Sequence, residues 1–331
     1  MKKLTFSIVG FGKMGHIRYN TIKEFPGYRV KWICEVEKKT DFPEGAHYTS
    51  DINDIINDKE VDAVIICTPN HLLKDITVQA LKSGKHAFCE KPPGRNMSEL
   101  KEMVRAEKDN PGLKLMFGFN HRHHESVIYA KKLIDSGEYG EILWMRGRYG
   151  KSVDEDFFST WRAKKELAGG GIFLDQGIHM LDLFLMLCGD FEEVHALVSN
   201  LYWKLDIEDN VFAMFRNKKG QAASLHSTMT QWRHLFSLEI FLSRGYITIN
   251  GFKTSSNTYG DEAMSIAKNR SFPPAATWDK EEELVFHVNN SWRRELEIFA
   301  EAIEKGDPVP VGNSADAMKL MRLVEEVYKQ K

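Results

Sequence analysis

Hydrophobic and polar positions along this 331-residue chain follow two different rhythms. Over roughly the first 120 residues, short and nearly continuous apolar runs alternate with stretches of helical period; further on, the runs alternate residue by residue and follow one another closely. Leu4–Val9, Arg29–Cys34, Val61–Cys67, Lys85–Phe88 and Leu113–Phe119 read as strands. Helical patterns follow them, running through Phe25, through Leu81 and over about Ser98–Lys108. Val61–Cys67 is apolar on both faces, as a strand buried within a parallel sheet must be. In the second half Ile142–Tyr149, Phe191–Leu201, Asn210–Arg216, Ala222–Met229, Leu235–Leu242 and Tyr246–Asn250 read as strands, with Asn217–Gly220 as a hairpin turn. Helices are predicted over Glu125–Ser136, stopped by Gly137, over Ile172–Cys188, and around Trp292–Ile303 and Ala317–Val324, whose apolar residues keep helical spacing. Phe252–Lys280, polar and containing Pro273-Pro274, is predicted to be a long loop.

The fold class that follows is α/β. A doubly wound parallel sheet of Rossmann type is expected over residues 1–120, and an α+β domain with a large, mostly antiparallel sheet over 121–331. Composition changes this picture little. Net charge is −2, which leaves no electrostatic footprint for nucleic acid or an anionic membrane. No apolar run reaches transmembrane length in this reading. Cys34, Cys67, Cys89 and Cys188 are widely spaced and sit in apolar runs, the pattern of a reduced, cytoplasmic chain.

The candidate chemistry gathers at the carboxyl ends of the first-half strands. Gly10-Phe11-Gly12-Lys13-Met14-Gly15 joins the first strand to the first helix. Its first glycine allows the tight turn, the second a close approach of backbone to a pyrophosphate, and the third the packing of helix on strand, while the helix N-terminus favours the anion. Glu35 ends the second strand about 20 residues on, where an acid binds ribose hydroxyls and repels a 2′-phosphate. NAD is therefore expected over NADP, although Lys38 and Lys39 just beyond offer partners for a phosphate. Cys67-Thr68-Pro69-Asn70-His71 ends the third strand and Glu90-Lys91-Pro92-Pro93 the fourth. Proline restricts the residue before it, so Lys91 sits on a constrained backbone.

Gly169-Gly170-Gly171 precedes a second centre. Asp175 and His179 lie four residues apart, neighbours on one face of a helix, where a carboxylate and an imidazole can share a substrate hydroxyl. The alternative is an ordinary surface pair, which Asp182 on the same side would extend as a solvated stripe. Trp161, Trp203, Trp232 and Tyr149 offer flat faces for stacking on a sugar ring. His121, His123 and His124 lack the converging partners that a zinc site needs, so no metal is expected.

In their order along the chain, the glycine loop, Glu35, Thr68-Pro69-Asn70, Glu90-Lys91-Pro92, the glycine triplet, Asp175 and His179 resemble the Gfo/Idh/MocA oxidoreductases. The resemblance covers essentially the whole chain. It implies that Lys91 lies by nicotinamide and substrate, that the Lys91–Pro92 bond is cis, that Asn120 and Arg122 face the cleft with Arg122 contacting substrate, and that Trp161-Arg162 lies near cofactor and substrate. It further implies a C-terminal sheet with helices on one face and a partner subunit on the other, hence a homodimer or homotetramer. One position departs from the family pattern: Leu73 stands where a histidine is usual, and a histidine stands at His71 instead.

The activity expected is oxidation of a secondary hydroxyl of a sugar, cyclitol or nucleotide sugar by hydride transfer to NAD. His179 is assigned as general base, Lys91 as the group lowering the pKa of the hydroxyl, and Asp175 as the group orienting substrate and imidazole. A cofactor-binding sensor without turnover, or an enzyme that keeps its cofactor and shuttles hydride between two sugars, would share the fold.

Overall fold

The computed structural model describes residues 3–37, 42–268 and 280–330. Contacts divide the chain into two compact units, the first comprising Met1–Asn120, Glu166–Gly169 and Trp292–Met321, and the second His121–Lys165, Gly170–Ser291 and Arg322–Lys331. This grouping departs from a simple division at residue 120, because two later segments return to the first unit.

The first unit contains β1 (Thr5–Val9), α1 (Lys13–Lys23), β2 (Arg29–Cys34), β3 (His47–Thr49), the single turn α2 (Asn53–Ile56), β4 (Ala63–Ile66), α3 (Asn70–Lys82), β5 (His86–Glu90), α4 (Met97–Asp109) and β6 (Leu115–Gly118). All pairings are parallel, in the order β3-β2-β1-β4-β5-β6. The strand order reverses between β1 and β4, and that switch point is where open α/β sheets form their ligand crevice. β4 is buried at every residue, as its two-sided apolar run requires. β3 was not among the predicted strands; three residues are too few to display a period.

The second unit contains α5 (Glu125–Asp135) and β7 (Ile142–Ser152). After the short α6 (Lys165–Ala168), which from Glu166 on belongs to the first unit, come α7 (Ile178–Cys188), β8 (Glu193–Ser199), β9 (Asn210–Arg216), β10 (Ala222–Thr228), β11 (Thr230–Leu242), β12 (Gly245–Asn250), β13 (Glu262–Lys268) and β14 (Glu282–Phe286). Eight strands form one sheet, β14-β13-β12-β11-β7-β10-β9-β8, antiparallel except where β10 lies parallel to β7. Helix α7 packs on its inner face so closely that a Cβ on Gly147 would lie 2.4 Å from Met180. Leu143, Phe212, Met214 and Leu197 are exposed. Strict alternation along β7 would set Leu143 on one side with Met145, Gly147 and Tyr149, but it slips at the start: Ile142 is buried and Leu143 exposed, because the register with β11 shifts there.

Two expectations are corrected. Phe252–Lys280 is not one loop: Glu262–Lys268 is β13, whose alternating Met264 and Ile266 are buried. The polar residues on either side hid that short period, and Pro273-Pro274 lies outside the described residues. Secondly, Lys165–Cys188 does reach transmembrane length and apolarity, with mean hydropathy 1.4. Of its most apolar 18 residues, to which that hydropathy belongs, 67% are buried inside the protein.

Chain ends complete the picture. α8 (Ser291–Lys305) inserts Leu296, Phe299 and Ala300 into the core formed by Phe6, Ile8, Phe88 and Met116, which is why Trp292–Met321 belongs to the first unit. α9 (Ser314–Tyr328) is assigned to the first unit as far as Met321 and to the second from Arg322.

Inside the first unit Arg18 of α1, 1% exposed, donates from Nε to Glu90 at 2.6 Å and from Nη2 to Glu295 of α8 at 2.6 Å, with its guanidinium 4.3 Å from the centre of the Phe88 ring. Removing one member of such a buried set strands the remaining charges without solvent. Arg18→Met should therefore destabilise the protein by about 3–5 kcal/mol in urea unfolding. A loss well under 1 kcal/mol would show that the two carboxylates find other partners.

Candidate functional site

The glycine loop forms a cradle at the switch point. Gly10 has φ +88° and donates its N–H to Cys34 at 2.9 Å; a Cβ there would lie 2.8 Å from the Cys67 carbonyl. Gly15 lets α1 sit against the turn, since a Cβ would fall 2.3 Å from the Gly10 carbonyl oxygen. Gly12 differs from both. A Cβ there would meet nothing within 4 Å, and no side chain caps the helix it opens. The first-turn N–H groups of α1, beginning at Lys13 and Met14, are thus left without a side-chain cap, the arrangement that receives a phosphate.

Glu35 lies beside this cradle. Its carboxylate accepts the Phe11 N–H at 2.7 Å and the Val36 N–H at 2.9 Å. Two backbone bonds fix its orientation and leave lone pairs for ribose hydroxyls. Lys38 and Lys39, the residues that would favour NADP, lie outside the described residues. At the end of β4, Thr68 Oγ1 and His71 Nδ1 are buried without a hydrogen-bond partner among the described residues. Buried polar atoms of that kind call for a ligand or water to satisfy them. Asn70 is otherwise engaged: its amide donates to the Ala168 carbonyl at 2.8 Å and ties down the segment before the glycine triplet. Leu73 is fully buried core, so the place where the family usually has a histidine is occupied by packing. Burial, with Glu90 nearby, pushes the Cys67 thiol far up, so it stays protonated and unreactive at neutral pH. An open helix N-terminus, an oriented acid and orphaned polar atoms at the switch point together fit a dinucleotide.

β5 delivers Glu90 and Lys91 to the same edge. The Lys91–Pro92 peptide is cis. Glu90 is committed to Arg18, and Gly118 leaves room for it, since a Cβ there would lie 2.8 Å from Glu90 Oε2. Sequence reasoning missed Arg18. The signal was available: Gly15, Arg18 and Ile22 share the buried face of α1, so an arginine there needed a buried carboxylate.

The second unit holds the other centre, and its helix is not the uniform α-helix expected. Phe173–Gly177 is a π-helical turn, followed by α7 from Ile178. Asp175 thus sits in the widened turn and His179 in the regular one, so the simple four-residue spacing does not describe their relation; such turns recur at functional sites. Glu208 holds the start of this element, accepting the N–H groups of Gly171 at 2.8 Å and Phe173 at 3.2 Å and the Tyr328 hydroxyl at 2.8 Å. The glycines at 170 and 171 are required by contact, for Cβ atoms would lie 2.1 Å from the Tyr328 hydroxyl and 2.1 Å from the Glu208 carbonyl oxygen.

His179 is buried and stacks on His121, with ring centroids 3.8 Å apart and planes at 15°. His121 in turn bonds through Nε2 to the Tyr149 hydroxyl at 2.9 Å. Burial pushes the Tyr149 phenol far up, with Tyr259 and Asp175 acting in the same direction, so it stays neutral in this contact. Tyr149, expected at the substrate, is therefore a buried support for His121.

Asp175 accepts Lys151 Nζ at 2.6 Å and lies 3.8 Å from Arg162 Nε, while the Arg162 guanidinium covers the Trp161 ring at 4.4 Å. Lys151 was also missed, although it continues the inward phase of Met145, Gly147 and Tyr149 along β7.

Arg122 and Asp182 are paired, which rules out the alternative of a surface stripe. Asp182 is not part of a solvated stripe: it is fully buried and accepts Arg122 Nε at 2.7 Å and Nη2 at 2.5 Å. A bidentate buried pair commits the guanidinium that the family resemblance assigned to substrate. Asn120 opens the short 3-10 turn Asn120–His123 and is half-buried. His124 bonds through Nδ1 to Glu262 at 2.8 Å; burial alone would raise that carboxyl, but His124 and Ser126 outweigh it and hold it below its usual range.

The cradle yields a paired test. Gly12→Ala should leave the melting temperature without cofactor unchanged but weaken NAD binding by about tenfold or more, roughly 1.4 kcal/mol, since its methyl occupies the space before the helix. Gly15→Ala should instead lower the melting temperature itself. Equal effects of the two substitutions on cofactor-free stability would contradict this division of roles.

Comparison with known proteins agrees with the fold and the cradle. Residues 4–119 match the family model described as an oxidoreductase family with an NAD-binding Rossmann fold, and residues 127–248 match the GFO/IDH/MocA C-terminal domain. Levoglucosan dehydrogenase of Pseudarthrobacter phenanthrenivorans is 33% identical over 231 residues, 61% of this chain but only 58% of that protein's length. Myo-inositol 2-dehydrogenase of Thermotoga maritima is 24% identical over 332 residues, 96% of this chain and 93% of that protein. A solved structure of levoglucosan dehydrogenase in complex with NADH superposes with TM-score 0.84 at 26% identity, covering 99% of this chain and 96% of that one. With a six-stranded parallel Rossmann unit that fits NAD, an eight-stranded second unit and both family models in register, this chain belongs to the Gfo/Idh/MocA oxidoreductase family.

Proposed function

We propose that this chain is an NAD-dependent dehydrogenase that oxidises a secondary hydroxyl of a sugar, cyclitol or nucleotide sugar. The observation that carries the reading is the imidazole of His179, buried and held flat against a His121 that Tyr149 fixes in turn, in a chain whose other unit binds NAD. An imidazole oriented in that way suits proton transfer, and the relatives named for levoglucosan and inositol oxidation make a polyol the natural substrate class.

Bound NAD supplies the hydride acceptor. His179 takes the hydroxyl proton, Lys91 stabilises negative charge on the carbinol oxygen, and Asp175, steadied by Lys151, accepts a hydrogen bond that orients the substrate. Glu35 favours NAD because its fixed carboxylate binds hydroxyls and repels a 2′-phosphate. The protein works in the cytoplasm, the compartment its unpaired cysteine spacing suits, and it works there as a homodimer or homotetramer, an assembly supported by the exposed Leu143, Phe212, Met214 and Leu197 of the C-terminal sheet.

The test is a panel of sugars, cyclitols and nucleotide sugars followed by NAD reduction. His179→Asn should lower kcat by about 10²- to 10⁴-fold with a smaller change in KM, because asparagine keeps much of the shape but takes no proton. Lys91→Met should keep NAD affinity within a few-fold and lose turnover, since its charge acts chiefly as the alkoxide forms. Near-normal turnover in both variants would place the chemistry elsewhere. Titration with both oxidised cofactors should show tighter binding of NAD; tighter binding of NADP would transfer the weight from Glu35 to Lys38 and Lys39.

A further inference from the structure

Three aromatic side chains at one edge of the second unit's sheet have no part in the site described above. Ser199 pairs with Asn210, Asn210 with Thr228, Thr228 with Gly150, and Ser152 with Thr230, so β7, β8 and β10 end, and β9 and β11 begin, along a single row. Tyr202 and Trp203 follow β8 out of that row, and Trp232 stands near the start of β11. Lys151, whose ammonium holds Asp175, lies in the same row at the end of β7.

Both loops are built to hold their rings outward. Asp209, 1% exposed, accepts the N–H groups of Leu201, Tyr202 and Trp203 at 2.8, 2.7 and 3.0 Å, and the Trp203 indole donates to the Met229 carbonyl at 3.0 Å. On the other loop, Thr230 pairs with Ser152 and Leu235 with Gly150, five steps along β11 against two along β7. The surplus chain is a bulge that carries Trp232 at φ +60°, a conformation a bulky residue adopts only where its surroundings impose it. Tyr202 is 56% and Trp232 58% exposed. The Tyr202 ring lies 4.9 Å from Trp203 at 86° and 5.0 Å from Trp232 at 82°, so the three meet edge to face and form a corner.

A corner of fixed, exposed rings suits a pyranose, which has C–H groups on its faces and hydroxyls around its rim. The Tyr202 hydroxyl and the Trp232 indole N–H make no hydrogen bond to the described residues, and either can answer a rim hydroxyl. Continuity decides which ring of a ligand it meets. Trp203, Val153 and Phe157 pack together on Ile172, Ile207 and Met229. Phe157 is centred 5.2 Å from the Lys151 ammonium, and Ile172 immediately precedes the π-helical turn that carries Asp175. One packed cluster therefore joins the corner to the turn holding Asp175, and a substrate longer than one ring that extends along this edge reaches the corner. A second copy of the chain is better matched by the broad sheet face that exposes Leu143, Phe212 and Met214.

We propose that Tyr202, Trp203 and Trp232 form an outer subsite for the second pyranose ring of a disaccharide or longer glycoside. The proposal rests on the dehydrogenase reading only for the terminal ring, the one that is oxidised. Stacking adds no chemical step.

Calorimetry on the intact protein saturated with NADH tests this, with cellobiose, maltose and lactose each compared with the monosaccharide of its non-reducing end, D-glucose or D-galactose. At least one disaccharide should bind about tenfold more tightly than its monosaccharide. Trp232→Ala and Tyr202→Ala should each cut that ratio to about threefold or less. Both side chains are well exposed, and if one variant does not fold the other decides the matter. Equal binding of mono- and disaccharides would overturn the proposal, as would a ratio that survives both substitutions. So would a loss of self-association in Trp232→Ala on sedimentation without any disaccharide preference, since a second copy would then cover the corner. The dehydrogenase reading fails separately: a disaccharide preference with no NAD reduction on any sugar removes that reading alone, and NAD reduction on monosaccharides without the preference removes this inference alone.

Discussion

A single buried guanidinium ties together the parts of the first unit that matter for its chemistry. Arg18 stands one turn beyond the glycine loop on α1, holds Glu90 immediately before Lys91, and holds Glu295 on a helix that returns from the far end of the sequence. Burial costs a charge its hydration, so such a residue is tolerated only where carboxylates meet it directly. That requirement fixes three elements at once. The cradle, the turn carrying Lys91 and the returning helix cannot shift independently without separating charges in the core. Arg18 is held protonated at any accessible pH, since Glu90 and Glu295 overcome the opposing effect of burial.

The second unit uses the same device with hydrogen bonds. Glu208 gathers two backbone N–H groups and the Tyr328 hydroxyl at the start of the helix that carries Asp175 and His179; burial pushes its carboxyl up, and these bonds act against that rise. With glycine at 170 and 171, the chain comes close enough for those bonds to form. Beyond this point one widened turn changes the angle at which Asp175 leaves the helix, and the stack of His179 on His121 sets the plane of the imidazole. Orientation of the candidate base is thus a property of a packed aromatic and histidine cluster, including Phe252 against His121, more than of the helix itself.

The division of labour between the units follows from their sheets. A parallel sheet buried on both faces gathers its loops at one edge, which suits a cofactor cradle. A large antiparallel sheet with helices on one face presents a broad surface on the other. The stacked pairs Trp144–Phe241 and Phe212–His226 lie on that second surface.

Much of this was legible in the sequence because local rules govern it. Continuous and alternating apolar runs follow from whether a strand is covered on two faces or one, so the two sheets and most of their strands could be read directly, as could the glycine loop, Glu35 and the constrained Lys91. What escaped was decided by contacts between residues distant in the chain. β3 and β13 were too short or too polar in their surroundings to show a period; Arg18 and Lys151 were not singled out, and the stacking of His121 on His179 appeared only once folding set the rings together. Arg122 read as a substrate contact, but folding buries it against Asp182. Sequence alone determined which backbone could form and where an anion could approach it, since those are matters of steric freedom and periodicity. Only the tertiary structure decided which charges meet, because the partner that makes a buried charge tolerable is chosen by the packing of whole elements.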